Sequence, residues 1–211
     1  MGILKNGILG PMQGKIANVV GYDLNGQPIL RTIGKRTKPL TDKQKNTNQQ
    51  MKVIMDFIKG MKPLLQTGFN PLAKGTTCNY HNLTIKYNLP NAVTGFYPNV
   101  YVDYANFVIS KGNLPQPVSP AMTFNDDKIV VTWDTSQLQW PENTDRIMIL
   151  AYAPATKAQT FTYSGAMRNA GQESLLIPAH MQNQLLHVYI SFVSDDRTRA
   201  ADSLYLGILG G

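Results

Sequence analysis

Residues 128–134 read KIVVTWD, an apolar run with a tryptophan near its end, and they are the second of seven short β-prone runs in the C-terminal half. Turn-forming pieces such as Asn125-Asp126-Asp127 and Ser194-Asp195-Asp196 separate these runs. Seven short strands at this spacing are typical of a β-sandwich. The runs are residues 121–125, 128–134, 146–153, 159–164, 174–178, 186–193 and 203–209.

A proline-rich segment precedes the seven runs. It reads Leu114-Pro115-Gln116-Pro117, and Pro120 follows shortly after it. Prolines stiffen a linker and prevent continued sheet pairing, so this segment marks a domain boundary. We therefore expect an N-terminal α+β region over residues 1–113 and a β-sandwich over residues 116–211. The fold class is mainly β, with an immunoglobulin/fibronectin-like sandwich at the C terminus.

Two elements are predicted within the first 63 residues. Residues 15–22 and 27–33 are β-prone runs on either side of Asn25-Gly26, a pair that favours the tight turn of a β-hairpin. Thr41-Asp42-Lys43-Gln44 has the pattern of a helix capping box. An apolar stripe at helical spacing follows, which predicts an amphipathic helix over residues 42–61 that Gly60 and Pro63 end.

The segment between that helix and the proline-rich boundary has a mixed pattern. Asn70-Pro71 has the pattern of a helix start, and apolar side chains keep helical spacing up to Leu89-Pro90, so we expect helix there. Residues 100–104 and 106–111 have the composition of strands.

The net charge of +7 is concentrated in the N-terminal third. Residues 1–63 carry eleven basic and three acidic side chains, whereas the remaining 148 residues carry nine basic and ten acidic ones. Such a patch either keeps the protein soluble or attracts a polyanion such as nucleic acid. Few rings accompany the patch, although binders of single-stranded nucleic acid use several stacking platforms. The candidate polyanion-binding residues are Arg31, Lys35, Arg36, Lys38, Lys43 and Lys45.

Three runs of the C-terminal half resemble strands of a fibronectin type III module. Residues 128–134 resemble its second strand, in which a tryptophan (here Trp133) lies buried between the sheets. Residues 174–178 (SLLIP) resemble a later strand with its "L-x-P" exit, and residues 186–192 resemble the sixth strand. The resemblance covers roughly residues 115–211 and implies an interaction module.

A second set of short motifs is distributed along the whole chain. They are Gly14-Lys15-Ile16, Asn18-Val19-Val20-Gly21-Tyr22, Ile29–Arg31, Thr41-Asp42-Lys43-Gln44, Tyr87-Asn88-Leu89, Asn91-Ala92, Gly95, Ser110-Lys111-Gly112 and Leu114. On these motifs the chain resembles a family of about this length that is found mainly in Bacteroidetes and has no known function. The resemblance implies no activity.

The sequence contains no catalytic or cofactor-binding signature. The single cysteine, Cys78, excludes an internal disulfide, and the three histidines lie in different segments without metal-ligand spacing. A helix would place Cys78 and His81 on one face, but no third orienting group is identifiable. We therefore expect no enzymatic activity, no metal and no cofactor. No membrane span and no signal peptide are recognisable, which favours a cytoplasmic location.

Two function classes follow from these observations. The first is a non-enzymatic binding or structural protein, such as a component of an assembly, that recognises a protein or a glycan through its sandwich loops. The alternative is a nucleic-acid-binding protein that uses residues 31–45 against phosphates, with binding that weakens steeply as salt rises.

Overall fold

The computed structural model describes residues 2–4, 7, 10–24, 26–35, 37–136, 138 and 141–210. The protein is mainly β, with 39% strand and 25% helix. Two compact units are present, Met1–Thr41 and Asp42–Gly211. The division into regions 1–113 and 116–211 stays a prediction.

The N-terminal unit is an antiparallel sheet with the strand order β1-β2-β3-β4. Its strands are β1 (Ile3–Leu4), β2 (Met12–Ile16), β3 (Val19–Leu24) and β4 (Gln27–Thr32). The predicted hairpin is the β3–β4 pair, where the Gly26 N–H donates to Asp23 Oδ1 (2.6 Å). Asn25 lies outside the described residues.

The predicted first run, residues 15–22, is not one strand. A turn at residues 17–18 divides it between β2 and β3, and Ala17 has a positive φ of 46° there. The sequence does not indicate this turn, because neither glycine nor proline is present at it.

The helices of the second unit differ from the prediction at their ends. Helix α1 (Asp42–Ile58) begins where the capping-box motif places it and ends two residues before Gly60, whose φ is +90°. Helix α2 (Lys62–Ala73) was not predicted, because Pro63 was interpreted as an end signal. Pro63 instead lies in the first turn of α2, where a helix leaves the backbone N–H unpaired and proline costs nothing.

The predicted helix start at Asn70-Pro71 is wrong, since both residues lie at the C-terminal end of α2. The next helix is α3 (Tyr80–Asn88), and it lies within the segment expected to be helical. Its N-cap is Asn79, whose Oδ1 accepts from the Asn82 N–H (2.8 Å).

Strands β5 (Val93–Phe96) and β6 (Asn99–Val102) form a hairpin that packs against α1. The predicted strand over 100–104 is therefore confirmed in part. The predicted strand over 106–111 is wrong: residues 107–110 are irregular, although Phe107 and Ile109 are buried.

All seven C-terminal runs contain strands. These are β7 (Val118–Asn125), β8 (Lys128–Asp134), β9 (Arg146–Ala153), β10 (Ala158–Thr162), β11 (Gln172–Leu176), β12 (Leu186–Val193) and β13 (Leu204–Leu209). They form two antiparallel sheets with the strand orders β11-β8-β7 and β10-β9-β12-β13.

Strand β9 is buried on both faces. Ile147, Ile149 and Ala151 share a core with residues of β8, whereas Met148 and Leu150 belong to a second core with the helices. Successive side chains of a strand point to opposite faces, so this alternation places the four-stranded sheet between the three-stranded sheet and the helices.

Side chains, not a neighbouring strand, hold the irregular segment 107–110. The Val108 N–H donates to Asn88 Oδ1 (2.8 Å), and Asn88 Nδ2 donates back to the Val108 carbonyl (2.9 Å). The Ile109 N–H donates to Ser203 Oγ (2.9 Å), and Ser110 Oγ bonds Ser191 Oγ (2.6 Å). The bonds to Val108 and Ile109 pair backbone groups that would otherwise be left unpaired inside the protein.

We expect Asn88→Leu to lower the free energy of unfolding by about 2–4 kcal/mol, because the N–H and carbonyl of Val108 lose their partner inside the protein. Urea unfolding monitored by circular dichroism measures this change. Asn91→Leu is the matched control: its Nδ2 also donates to a carbonyl in α3, that of Tyr87, but the bond is exposed and its loss should cost less than about 0.5 kcal/mol. Equal losses in the two variants would contradict the prediction.

Candidate binding surfaces

The N-terminal sheet separates its charged from its apolar side chains. Lys15 pairs with Val20, which pairs with Arg31 across β2, β3 and β4, so the three side chains share one side. The Arg31 guanidinium carbon lies 5.5 Å from the centre of the Tyr22 ring on that side. We call this the basic side of the sheet. Lys15 was not among the sequence-predicted residues, since only the strand register brings it beside Arg31.

The opposite side of the same strands is apolar. Ile16 pairs with Val19, and Leu30 pairs with Gly21 in the next rows. Leu30 is 64% exposed and Ile16 is 46% exposed. Among the described residues of β2 to β4, Asp23 is the one charged side chain on this apolar side.

The other predicted polyanion-binding residues lie outside the strands. Lys35 and Lys38 are exposed in the segment after β4, and Arg36 is not among the described residues. Lys43 is exposed in the first turn of α1. Lys45 Nζ forms an ion pair with Asp42 (2.8 Å), which lowers the pKa of Asp42 and raises the pKa of Lys45. That pairing partly neutralises the charge of Lys45.

The β5–β6 hairpin exposes three rings. Phe96 is 84% exposed, Tyr101 is 60% exposed, and Tyr97 in the turn is 47% exposed. Gly95 makes the hairpin possible, because its φ is +89° and a Cβ there would lie 2.2 Å from the Asn99 carbonyl oxygen. Three exposed rings on one short hairpin are unusual on a protein surface and indicate a contact surface.

The turn of this hairpin is fastened to α1. The Tyr97 N–H donates to Asn46 Oδ1 (2.8 Å), and Gln49 Nε2 donates to the Pro98 carbonyl (2.5 Å). Two clefts lie where the hairpin and α1 meet, with volumes of about 460 and 200 Å³. Both are lined by Val53 and Asp56, so they adjoin. We call the two clefts together the α1 groove.

The smaller cleft ends against a group of buried tyrosines. Tyr104 and Tyr152 are hydrogen-bonded through their side chains, and Tyr189 donates to the Tyr104 carbonyl (2.7 Å). Burial raises the pKa of Tyr152 to about 12, so its hydroxyl stays protonated at neutral pH. Burial also lowers the pKa of His187, whose Nδ1 bonds the Tyr205 hydroxyl (2.7 Å). Tyr104 and Tyr152 of this group form an aromatic wall of the smaller cleft.

Cys78, the candidate nucleophile, does not lie on the same helical face as His81. Cys78 is exposed and lies before Asn79, the N-cap of α3, so Cys78 and His81 do not share a helical face. In the part of the chain that the structure describes, no three His, Cys, Asp or Glu side chains cluster as metal ligands. No helix among those residues is long and apolar enough to cross a membrane.

Sequence reasoning did not find a buried ion pair in the C-terminal half. Arg168 Nη2 lies 3.1 Å from Asp145 Oδ2, and both side chains are almost fully buried. The guanidinium also donates to the Pro115 carbonyl (2.9 Å) and stacks on Phe192 at 3.9 Å. Burial raises the pKa of Asp145, and Arg168 opposes that effect. No local pattern in the sequence predicts an ion pair between residues that are 23 positions apart.

Comparison with known proteins gives a family. The model of a family described as "Family of unknown function (DUF6266)" matches residues 11–207. Searches of curated proteins and of solved structures find no match to this chain.

We expect Arg168→Met to lower the free energy of unfolding by about 3–5 kcal/mol at neutral pH, because Asp145 is left buried without its partner. The pKa of Asp145 is already raised and would rise further, so the loss should shrink as the pH falls and the carboxyl becomes protonated. Urea titrations near pH 5 and pH 8 measure both effects.

The double variant Arg168→Met/Asp145→Leu should recover most of the lost stability. Arg146→Met is the matched control, since its ion pair with Asp195, also 3.1 Å long, is exposed and should be worth less than about 1 kcal/mol. A loss of stability that does not depend on pH, with no recovery in the double variant, would show that the unpaired carboxylate of Asp145 is not the cause.

Proposed function

The chain belongs to the family of unknown function DUF6266, and we propose that it is a non-enzymatic binding or structural protein that assembles through its N-terminal sheet. The observation that carries the proposal is the burial in this sheet. Among the described residues of the sheet, only Gly21 is buried, whereas Leu30 and Ile16 are exposed. A sheet needs an apolar face packed against something to be stable in water.

The distribution of charge favours a second copy of the chain as the cover. Two apolar sides that meet would form a β-sandwich of two sheets, while the basic sides of both copies would stay in water. Pairing edge to edge is less favourable, since Pro28 in the edge strand β4 has no N–H to donate to a neighbouring strand. Face-to-face packing therefore suits this sheet better than extension of its edge.

The proposal also includes an immunoglobulin/fibronectin-like β-sandwich over β7 to β13 as the scaffold. Trp133 supports it: the ring lies on the second of these strands, is buried, and meets Phe192 of the sixth strand edge-on at 5.4 Å. The Trp133 Nε1–H donates to the Arg168 carbonyl (2.6 Å). Such scaffolds present their strand-connecting loops to a protein or glycan partner, although fold alone does not assign a function.

We expect the full chain to self-associate at about 100 µM and Leu30→Glu to weaken that association at least tenfold, because a carboxylate would be buried in the apolar contact. Sedimentation velocity measures the change. A reducing agent is needed because Cys78 is exposed and could cross-link copies.

Leu185→Glu is the matched control. Leu185 is also exposed but lies in the other unit, so the variant should associate like the unchanged chain. A chain that stays monomeric at about 100 µM, or two variants that behave alike, would overturn assembly through the sheet.

One observation favours nucleic-acid binding as a second candidate function. The basic side of the N-terminal sheet places Lys15 and Arg31 in one row and the Tyr22 ring beneath Arg31. Tyr22 is half-buried, and cations next to a ring with an accessible part are the combination with which single-stranded nucleic acid is bound. Lys35 and Lys38 follow directly in the chain and add further positive charge.

If this second candidate holds, Arg31→Ala should weaken binding of labelled single-stranded DNA and reduce the slope of log K against log salt by about one. Fluorescence anisotropy across a salt series measures the slope. Lys86→Ala is the matched control, because Lys86 also lies over a tyrosine, Tyr87, but belongs to the other unit. Equal effects of the two variants, or no binding at low salt, would rule out the basic side as the site.

A further inference from the structure

The α1 groove is a second surface that the N-terminal sheet does not explain. All of its lining residues lie within Asp42–Gly211, between helix α1, the β5–β6 hairpin and the β9–β10 turn. Its chemistry can therefore be considered independently of assembly. The two clefts together hold exposed rings, side-chain amides, a carboxylate and amines.

The smaller cleft has an aromatic wall. Tyr101 lines it with a ring that is 60% exposed, and the almost completely buried Phe57 and Tyr152 line it as well. Phe57 and Tyr152 meet edge-on at 4.6 Å. An exposed ring can cover the apolar C–H face of a sugar, and its hydroxyl stays available for a hydrogen bond.

Polar groups line both clefts. Gln49 lies in the larger cleft, where its Nε2 donates to the Pro98 carbonyl. Asp56 adds an acceptor to both clefts, and Lys157 adds a donor to the smaller one.

One carboxylate and two amines carry the charge of the groove. The larger cleft combines Lys52 with Asp56, and the smaller one combines the same Asp56 with Lys157, so the groove as a whole has a net charge of +1. A single excess positive charge is small beside the several cations of a polyanion site. A ligand with many hydroxyl groups, which donate and accept together, matches this set of groups.

The volumes indicate how such a ligand would divide between the clefts. The smaller cleft, at about 200 Å³, lies below the range of about 300–1,000 Å³ usual for drug-sized ligands and suits a single ring. The larger cleft, at about 460 Å³, adjoins it through Val53 and Asp56 and has room for further rings.

We propose that the α1 groove binds a neutral oligosaccharide. One sugar ring stacks on Tyr101 in the smaller cleft, and the chain of sugars continues past Asp56 to Gln49 in the larger cleft. The partner class is thus a glycan, and helix α1 and the β5–β6 hairpin supply most of the contact, with Lys157 of the β9–β10 turn at one end.

The experiment uses the full chain and four neutral hexasaccharides as probes, built from β-linked glucose, β-linked xylose, β-linked N-acetylglucosamine and α-linked mannose. Isothermal titration calorimetry at sugar concentrations up to about 10 mM covers the weak affinities expected of such sites. We expect at least one probe to bind, Tyr101→Ala to weaken that binding tenfold or more, and Asp56→Asn to weaken it as well.

Tyr163→Ala is the matched control, since Tyr163 is an exposed tyrosine that lines neither cleft of the groove. It should bind like the unchanged chain. Tyr101 and Asp56 are both exposed, so their variants should fold, and a thermal unfolding curve checks this. Absence of binding to all four probes, or equal weakening by Tyr101→Ala and Tyr163→Ala, would overturn the proposal.

The test separates this inference from assembly through the N-terminal sheet. Leu30→Glu should keep its sugar affinity, and Tyr101→Ala should keep its sedimentation behaviour. Loss of sugar binding in Leu30→Glu would show that the site needs the assembled chain, and it would overturn the groove as a site complete within one copy.

Discussion

Strand β9 is apolar on both of its faces, and this double burial organises the whole unit from residue 42 onward. One face of the strand helps to form the core with β8, and the other face is covered by side chains of the helices. A strand of this kind cannot lie at a surface, so a layer must pack on each side of its sheet. Helices α1 and α2 are therefore as necessary to the second unit as the three-stranded sheet.

Polar side chains supply hydrogen bonds and an ion pair where the backbone hydrogen bonds of the sheets and helices end. Asn88 and Ser110 form hydrogen bonds that hold the irregular segment between the helices and the β-rich half. Arg168 and Asp145 form a buried ion pair. The motifs that carry the family resemblance include Asn88, Gly95 and Ser110, and each of the three has a structural task. Asn88 and Ser110 bond buried groups, and Gly95 permits a close backbone approach.

The surfaces that remain for function are of two kinds. The N-terminal sheet is apolar on one side and basic on the other, which suits contact with large partners through burial and long-range attraction. The α1 groove is concave, has an exposed ring and carries a net charge of only +1, which suits a small ligand rich in hydroxyl groups. These surfaces lie in different compact units, so a variant in one can test its own role without altering the other.

Local patterns in the sequence were sufficient for the seven C-terminal strands, the start of α1, the β3–β4 hairpin and the excess of positive charge before residue 64. Each depends on neighbours within a few residues: alternation, a capping box, an Asn-Gly pair or a count of charges. The candidate polyanion-binding residues, Arg31 and Lys45 among them, also come from charge alone, and their role stays a prediction.

Tertiary structure decided the rest, because the deciding partners are far apart in the chain. Arg31 gained Lys15 only through strand register. The α1 groove unites side chains from residue 48 to residue 157, which no local pattern connects. Segment 107–110 was mistaken for a strand for the same reason: its composition matches a buried strand, but its hydrogen-bond partners are 20 and 94 residues away.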